Sequence, residues 1–238
     1  MITVRSPESI FQTDVPIDGG SAHGRWHFSF DRYFDPEWVR FGTLRVFNDD
    51  TLTPGAVWPL HPHREIEVVT YCAAGEFRHA DENGEGGVLK EGWAQHTTVG
   101  RGMWHSEINN RKDLPMRFIQ MWYVPSTPGL EPSVEQKVVR KADRTNRLLS
   151  LVSNDDRNAL TILSDARVFS SFLEADRTVS HPLEDHRGAY LYVLSGGPVR
   201  VNGKAVPALG AARVVGEPAV SVRADSDAEL LLADVFLR

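Results

Sequence analysis

Short β-type runs, separated at close intervals by glycine and proline, constrain the fold of this chain more than any other feature. In the first half, residues 41–47 alternate, residues 67–71 are β-branched and aromatic, and residues 117–124 are typical of a buried strand. In the second half, Asn202 and Gly203 stand between alternating apolar residues, which is a strong signal for a two-residue hairpin. Long amphipathic helical stretches are scarce. The pattern predicts antiparallel barrels or sandwiches rather than parallel α/β units.

The β-type runs form two groups. A polar stretch with prolines and a cluster of basic residues lies between the groups and indicates a connection. With 238 residues, the chain suits one large domain or two small ones. We predict a first barrel at residues 1–130, a linker at residues 131–158 and a second barrel at residues 159–238.

Charge and hydropathy exclude several classes of function. The net charge is −6 and no run of five basic residues occurs, so we expect no direct binding to nucleic acid. The longest apolar runs fall far short of the roughly 20 residues that a membrane helix needs. The first ten residues lack the basic and apolar regions of a secretion signal. A single cysteine, Cys72, rules out an intramolecular disulfide and is compatible with the cytoplasmic location that we expect.

Two pairs of residues carry most of the chemical information. His61 and His63 form one pair, and His105 and Glu107 form the other. Residues two apart on a strand point to the same face, so each pair can direct both side chains at one point. Three imidazoles and one carboxylate suit a divalent first-row metal and leave coordination positions open. Either pair alone is more often two surface side chains, but together they predict a metal site.

The sequence around these pairs resembles a known family. Residues 61–71 (HPHREIEVVTY) and 100–107 (GRGMWHSE) are similar to the signature of the pirins. Residues 26–50 resemble the bacterial branch of that family with quercetinase activity. The resemblance implies an all-β double cupin, or bicupin, in which two antiparallel β-barrels or jelly-roll-like sandwiches lie face to face. It also implies one divalent metal ion in the first barrel, Fe(II) by preference, with Ni, Co, Mn, Cu or Zn as substitutes.

Two glutamates compete for the role of carboxylate ligand. The general cupin motif assigns this role to Glu67, whereas the pirin pattern assigns it to Glu107. We expect Glu107 to be the ligand because the local run matches pirins. Glu67 is then predicted to orient a ligand imidazole or to handle a proton, so that both glutamates are candidate catalytic residues.

Four further residues are candidates for the pocket wall: His79, Gln95, His96 and Trp104. A surface position for the two histidines is an equally good interpretation. In the second half only His181 and His186 occur, so we expect no metal in the second barrel.

The leading functional hypothesis is a metal-dependent dioxygenase that opens the ring of quercetin-like flavonols with O2. Its partner would be a small aromatic substrate such as a flavonol. A second hypothesis is a metal-binding redox sensor or cofactor without enzymatic activity, which acts through a protein partner. A third is a metal-free cupin enzyme. The fold does not distinguish these hypotheses, because cupins host many reactions.

Overall fold

The structure is a computed structural model that describes residues 1–82, 84 and 86–237. It is almost entirely β-structure, and the helical segments of the described part are a 3-10 turn at Pro7–Ser9 and a one-turn helix, α1, at Lys141–Arg144. Among the described residues, neither helical segment has the length and hydropathy to span a membrane.

A seven-stranded and a four-stranded antiparallel sheet form the first barrel. In spatial order, the large sheet contains β12 (Ser133–Lys137), β9 (Ala94–Thr98), β6 (Glu67–Ala74), β11 (Met116–Tyr123), β4 (Leu44–Leu52), β3 (Gly20–Trp26) and β2 (Phe11–Ile17). The small sheet contains β5 (Val57–His63), β10 (Met103–Asn109), β7 (Glu76–Asp81) and β8 (Gly86–Lys90).

The second barrel repeats this arrangement. Its large sheet contains β1 (Ile2–Arg5), β20 (Ala211–Val215), β17 (Arg187–Gly196), β22 (Ala228–Phe236), β15 (Ala166–Leu173), β13 (Leu149–Ser153) and β14 (Leu160–Thr161). Its small sheet contains β16 (Thr178–Pro182), β21 (Ala219–Ala224), β18 (Val199–Val201) and β19 (Lys204–Val206). The predicted all-β double barrel is therefore confirmed.

Three hydrophobic clusters hold the molecule together. The largest joins the two large sheets, because it contains side chains from β6 and β11 of the first barrel and from β17 and β22 of the second. A second cluster of mostly valine, leucine and alanine fills the interior of the second barrel. The third cluster, inside the first barrel, is much smaller. The first barrel thus has interior space that apolar side chains do not fill.

The predicted hairpin is present. Val199 pairs with Val206, and Val201 pairs with Lys204. Asn202 and Gly203 between them have φ angles of 45° and 86°, as a two-residue turn with two positive φ values requires.

The predicted domain boundaries stay a prediction, but three strands bear on them. The N-terminal strand β1 pairs with β20 and so lies in the second barrel. Within the stretch predicted as a linker, β12 pairs with β9 of the first barrel and β13 pairs with β15 of the second. The connection thus contributes a strand to each large sheet, and the N-terminal segment ties the first barrel to the second.

Candidate metal centre

Three histidines converge inside the first barrel. His61 and His63 lie on β5, and His105 lies on the neighbouring strand β10. One ring nitrogen of each histidine lies within 4.8 Å of those of the other two. His105 is paired directly with His61 in the register of the two strands, so the side chains share a face of the small sheet. The sequence-predicted histidine set is therefore brought together.

Two hydrogen bonds position these imidazoles. The carbonyl oxygen of Pro59 accepts a hydrogen bond from His61 Nδ1 at 2.8 Å. His79 Nε2 lies 2.8 Å from His105 Nδ1, so His79 accepts a hydrogen bond when the His105 proton is on Nδ1. The Nε2 atoms of His61 and His105 then face each other at 3.1 Å. His63 Nε2 is buried and has no hydrogen-bond partner among the described residues.

Burial keeps the histidine cluster uncharged. Burial, together with the neighbouring imidazoles, lowers the pKa of His105 to about 2. The same causes lower the pKa of His63 to about 4, and burial lowers that of His61. Neutral imidazoles are the form that binds metal. An unpaired buried nitrogen and three converging neutral rings therefore fit a divalent first-row metal ion.

Glu107 lies near the cluster but is held by another residue. Among the described residues, the side chains whose ligand atoms lie within 4.8 Å of one another are the three histidines, and Glu107 is not one of them. Gln120 Nε2 on β11 donates a hydrogen bond to Glu107 Oε1, and Trp122 Nε1 donates to Gln120 Oε1 at 2.7 Å. Burial raises the pKa of Glu107 to about 7, partly offset by the bond from Gln120. Glu107 as the fourth ligand remains a prediction.

A pocket opens beside the histidines, between the two sheets of the first barrel. Its cavity volume is about 80 Å³. Four aromatic side chains and six polar side chains line it: Trp26, Phe30, Trp58, Trp122, Asn48, Asp50, His61, His63, Glu107 and Gln120. Flat apolar walls with a few converging polar groups suit a planar aromatic ligand.

Two polar pocket residues, Asn48 and Asp50, were not assigned a role from the sequence. They lie two apart on β4 and so share a face. Burial raises the pKa of Asp50 well above its ordinary value, and the negative charges of Glu107 and Asp49 raise it further. The available signal was the run of three consecutive polar residues, Asn48 to Asp50, because such a run is unusual in a strand that is otherwise largely apolar.

Glu67, which was predicted to act in the metal centre, is held by contacts outside the histidine cluster. Glu67 Oε1 accepts a hydrogen bond from the Leu163 backbone at 2.8 Å, and Oε2 accepts one from the Ser164 backbone at 2.6 Å. In the register of the large sheet Glu67 is opposite Tyr123, which belongs to the cluster between the barrels. The spacing argument fails because the chain passes from the small to the large sheet through Glu65, whose φ is 54°.

The other predicted pocket residues have diverse positions. His79 lies behind His105 and contacts it directly. His96 is buried beside Glu67, with its Nε2 3.3 Å from Glu67 Oε1, on the face toward the second barrel. Gln95 bonds to Thr97 and Gln136 rather than lining the pocket.

Trp104 was also predicted at the pocket wall, and it lies outside the barrel. It is adjacent to His105 in sequence, so it points to the opposite face of β10, where 48% of its surface is exposed.

The histidines of the second barrel do not form a comparable cluster within the described residues. His181 Nε2 lies 2.8 Å from the buried carboxylate of Asp234, which also accepts a hydrogen bond from Arg187. His186 has a φ of 63° in the turn before β17. The barrel interior between them is packed with aliphatic side chains.

Comparisons with known proteins agree with this geometry. The pirin family description matches residues 11–123, and a description named quercetinase C-terminal cupin domain matches residues 150–235. A pirin-like protein of Caulobacter vibrioides is 37% identical over 92% of this chain and 97% of its own length. A quercetin 2,3-dioxygenase of Escherichia coli K12 is 32% identical over 91% of this chain and 94% of its own length.

Solved structures give the same result. The nickel(II) complex of the bacterial pirin YhhW from Escherichia coli superposes with a TM-score of 0.91 at 28% identity, over the whole of both chains. A second crystal structure of YhhW from Escherichia coli superposes with a TM-score of 0.92, also at 28% identity. On these matches and on its double-barrel fold, the chain belongs to the pirin family.

Proposed function

We propose that this protein is a metal-dependent dioxygenase that opens the heterocyclic ring of quercetin-like flavonols. One observation carries the proposal: a cluster of three neutral imidazoles lies beside a pocket that four aromatic side chains help to line. The resemblance to a relative named quercetin 2,3-dioxygenase supports the choice of substrate.

His61, His63 and His105 would hold the metal ion, with Glu107 as the fourth ligand and Fe(II) as the expected metal. When bound, the metal supplies a Lewis acid for a substrate oxygen and a redox-active centre for reaction with O2. Both oxygen atoms of O2 enter the product in a dioxygenation, so the reaction needs no external reductant.

The protein side chains have separate tasks in this proposal. Glu107 accepts the proton of the substrate hydroxyl group, and Gln120 holds its carboxylate in place through the Nε2 hydrogen bond. His79 orients His105 through the bond to Nδ1. Trp26 and Trp122 line the pocket, where they stack on the flat substrate and exclude water.

Oxygen uptake tests the proposal. The purified protein is reconstituted anaerobically with Fe(II), or in parallel with Ni, Co, Mn or Cu, and oxygen consumption is followed after addition of quercetin. We expect quercetin-dependent uptake with at least one metal and none with His105→Ala. The matched control is His23→Ala, because His23 is on the surface and bonds only to Asp14 among the described residues. Lack of turnover with all five metals would refute the dioxygenase proposal.

A further inference from the structure

The pocket wall opposite the histidines carries a polar pair. Asn48 and Asp50 lie on β4 of the large sheet, whereas the histidines lie on the small sheet. In register, Asn48 pairs with Gln120 on one side and with Trp26 on the other. Both polar side chains line the pocket together with these two neighbours.

The polar atoms of this pair lack the partners that buried groups normally have. Asn48 Oδ1 is buried and has no hydrogen-bond partner in the described part of the chain. The Asp50 carboxylate accepts one hydrogen bond among the described residues, from Trp26 Nε1 at 3.3 Å. Both residues are more than nine-tenths buried. These oxygens are therefore free to accept hydrogen bonds from a molecule in the pocket.

The neighbouring residue on the same strand shows the contrast. Asp49 points to the other face of the sheet and is fully buried. Its carboxylate accepts hydrogen bonds from Arg117 Nε at 2.8 Å, Arg117 Nη2 at 2.7 Å and the Tyr192 hydroxyl at 2.5 Å. Asp49 thus has a structural role between the barrels, whereas no cation of the described chain pairs with Asp50.

Gly24 provides the space for Asp50. A Cβ atom at Gly24 would lie 2.6 Å from Asp50 Oδ1 and 2.6 Å from Trp26 Nε1. Gly24 pairs with Asp50 in the register of β3 and β4. The absence of a side chain at this position lets the carboxylate and the indole nitrogen meet at the pocket wall.

We propose that Asn48 and Asp50 determine substrate specificity by binding ring hydroxyl groups of a planar polyphenol whose reacting end faces the histidine cluster. This inference rests on the proposed function for the position of the reacting end. Phenolic hydroxyls are hydrogen-bond donors, and the pair offers acceptors. A site that binds a hydroxyl discriminates strongly against an analogue without it, because its buried polar atoms are then left unpaired.

Two flavonols test the inference. Quercetin and 3-hydroxyflavone share the 3-hydroxyl and 4-carbonyl groups, but 3-hydroxyflavone lacks the other ring hydroxyls. Dissociation constants are measured by quenching of tryptophan fluorescence, with and without bound metal. The variants are Asp50→Leu and Asn48→Leu, and Asp185→Leu on the surface of the second barrel is the matched control.

We expect the wild type and the control variant to bind quercetin more tightly than 3-hydroxyflavone. Each pocket variant should weaken quercetin binding about tenfold or more, because a hydrogen bond to a buried polar group is lost. Binding of 3-hydroxyflavone should change less than about twofold. Thermal melting establishes that each variant is folded, and Asn48→Leu alone suffices if Asp50→Leu does not fold.

Three results would overturn the inference: equal losses for both ligands, unchanged quercetin binding in the variants, or no preference for quercetin in the wild type. If the preference and its loss are observed without any oxygen uptake, the specificity assignment stands and the dioxygenase proposal fails. If oxygen uptake is observed without discrimination between the two flavonols, the dioxygenase proposal stands and the specificity assignment fails.

Discussion

Replacing Glu67 with glutamine tests whether this residue joins the barrels or serves the metal centre. In the wild type, its carboxylate accepts hydrogen bonds from the Leu163 backbone and from the backbone and hydroxyl of Ser164, and it lies beside His96. A glutamine amide keeps one acceptor oxygen, but its NH2 group faces an N–H donor. The variant therefore loses a hydrogen bond to a charged acceptor and leaves a buried donor unpaired.

The magnitude follows from these contacts. A hydrogen bond to a charged group contributes about 1.5–3 kcal/mol and an unpaired buried donor costs about 1–3 kcal/mol, so partial relaxation leaves a loss of about 2–4 kcal/mol. For a chain of this size, that loss lowers the melting temperature by roughly 5–15 °C. The assay is thermal melting at neutral pH, combined with a metal-binding titration. Glu135→Gln, an exposed carboxylate on β12, is the matched control and should melt like the wild type.

The pH dependence gives a second measure of the same contacts. Burial alone would raise the pKa of Glu67, but the nearby His96 and the hydrogen bonds from Leu163 and Ser164 outweigh it and hold the pKa below the ordinary 4.5. A carboxyl with a lowered folded-state pKa stabilises the protein above its unfolded pKa, and this contribution is lost as the pH falls through the folded pKa. The difference between wild type and variant should therefore shrink below about pH 4.5. An unchanged melting temperature with weakened metal binding would refute this account and return Glu67 to the metal centre.

Three further substitutions have distinct expected outcomes. His79→Leu removes the acceptor for the ligand imidazole, so metal affinity should fall about 10–100-fold in a competition titration, and an unchanged affinity would contradict the positioning role. Gly24→Ala places a methyl group against the Asp50 carboxylate, so it should cost about 1–3 kcal/mol of stability in chemical denaturation and weaken quercetin binding. Wild-type quercetin affinity in that variant would show that the carboxylate does not contact the ligand. Tyr192→Phe removes a donor to the buried Asp49 carboxylate and should lower the free energy of unfolding by about 1.5–3 kcal/mol, with metal content unchanged. Equal stability of this variant and the wild type would mean that Arg117 alone satisfies the carboxylate.

Local pattern in the sequence was sufficient for much of the candidate site. The spacing of two within β5 and within β10 predicts which side chains share a face, and the three histidines do converge. The same rule, applied strictly, excludes Trp104 from the pocket, because it is adjacent to His105. The rule holds only within one continuous strand, which is why it failed for Glu67 beyond the turn at Glu65.

The sequence by itself determined several of the strands, the hairpin at Asn202 and Gly203, and the histidine pairs, because these depend on backbone geometry over a few residues. Only the tertiary structure decided which buried polar groups have partners. Asp49 and Asp50 are adjacent and chemically identical, yet Asp49 alone meets the hydroxyl of Tyr192, 143 residues away in the second barrel. Glu67 meets Ser164 across 97 residues. Such partners depend on how the two barrels pack, and that packing separates Asp49 and Glu67, which hold the barrels together, from Asp50, which faces the pocket.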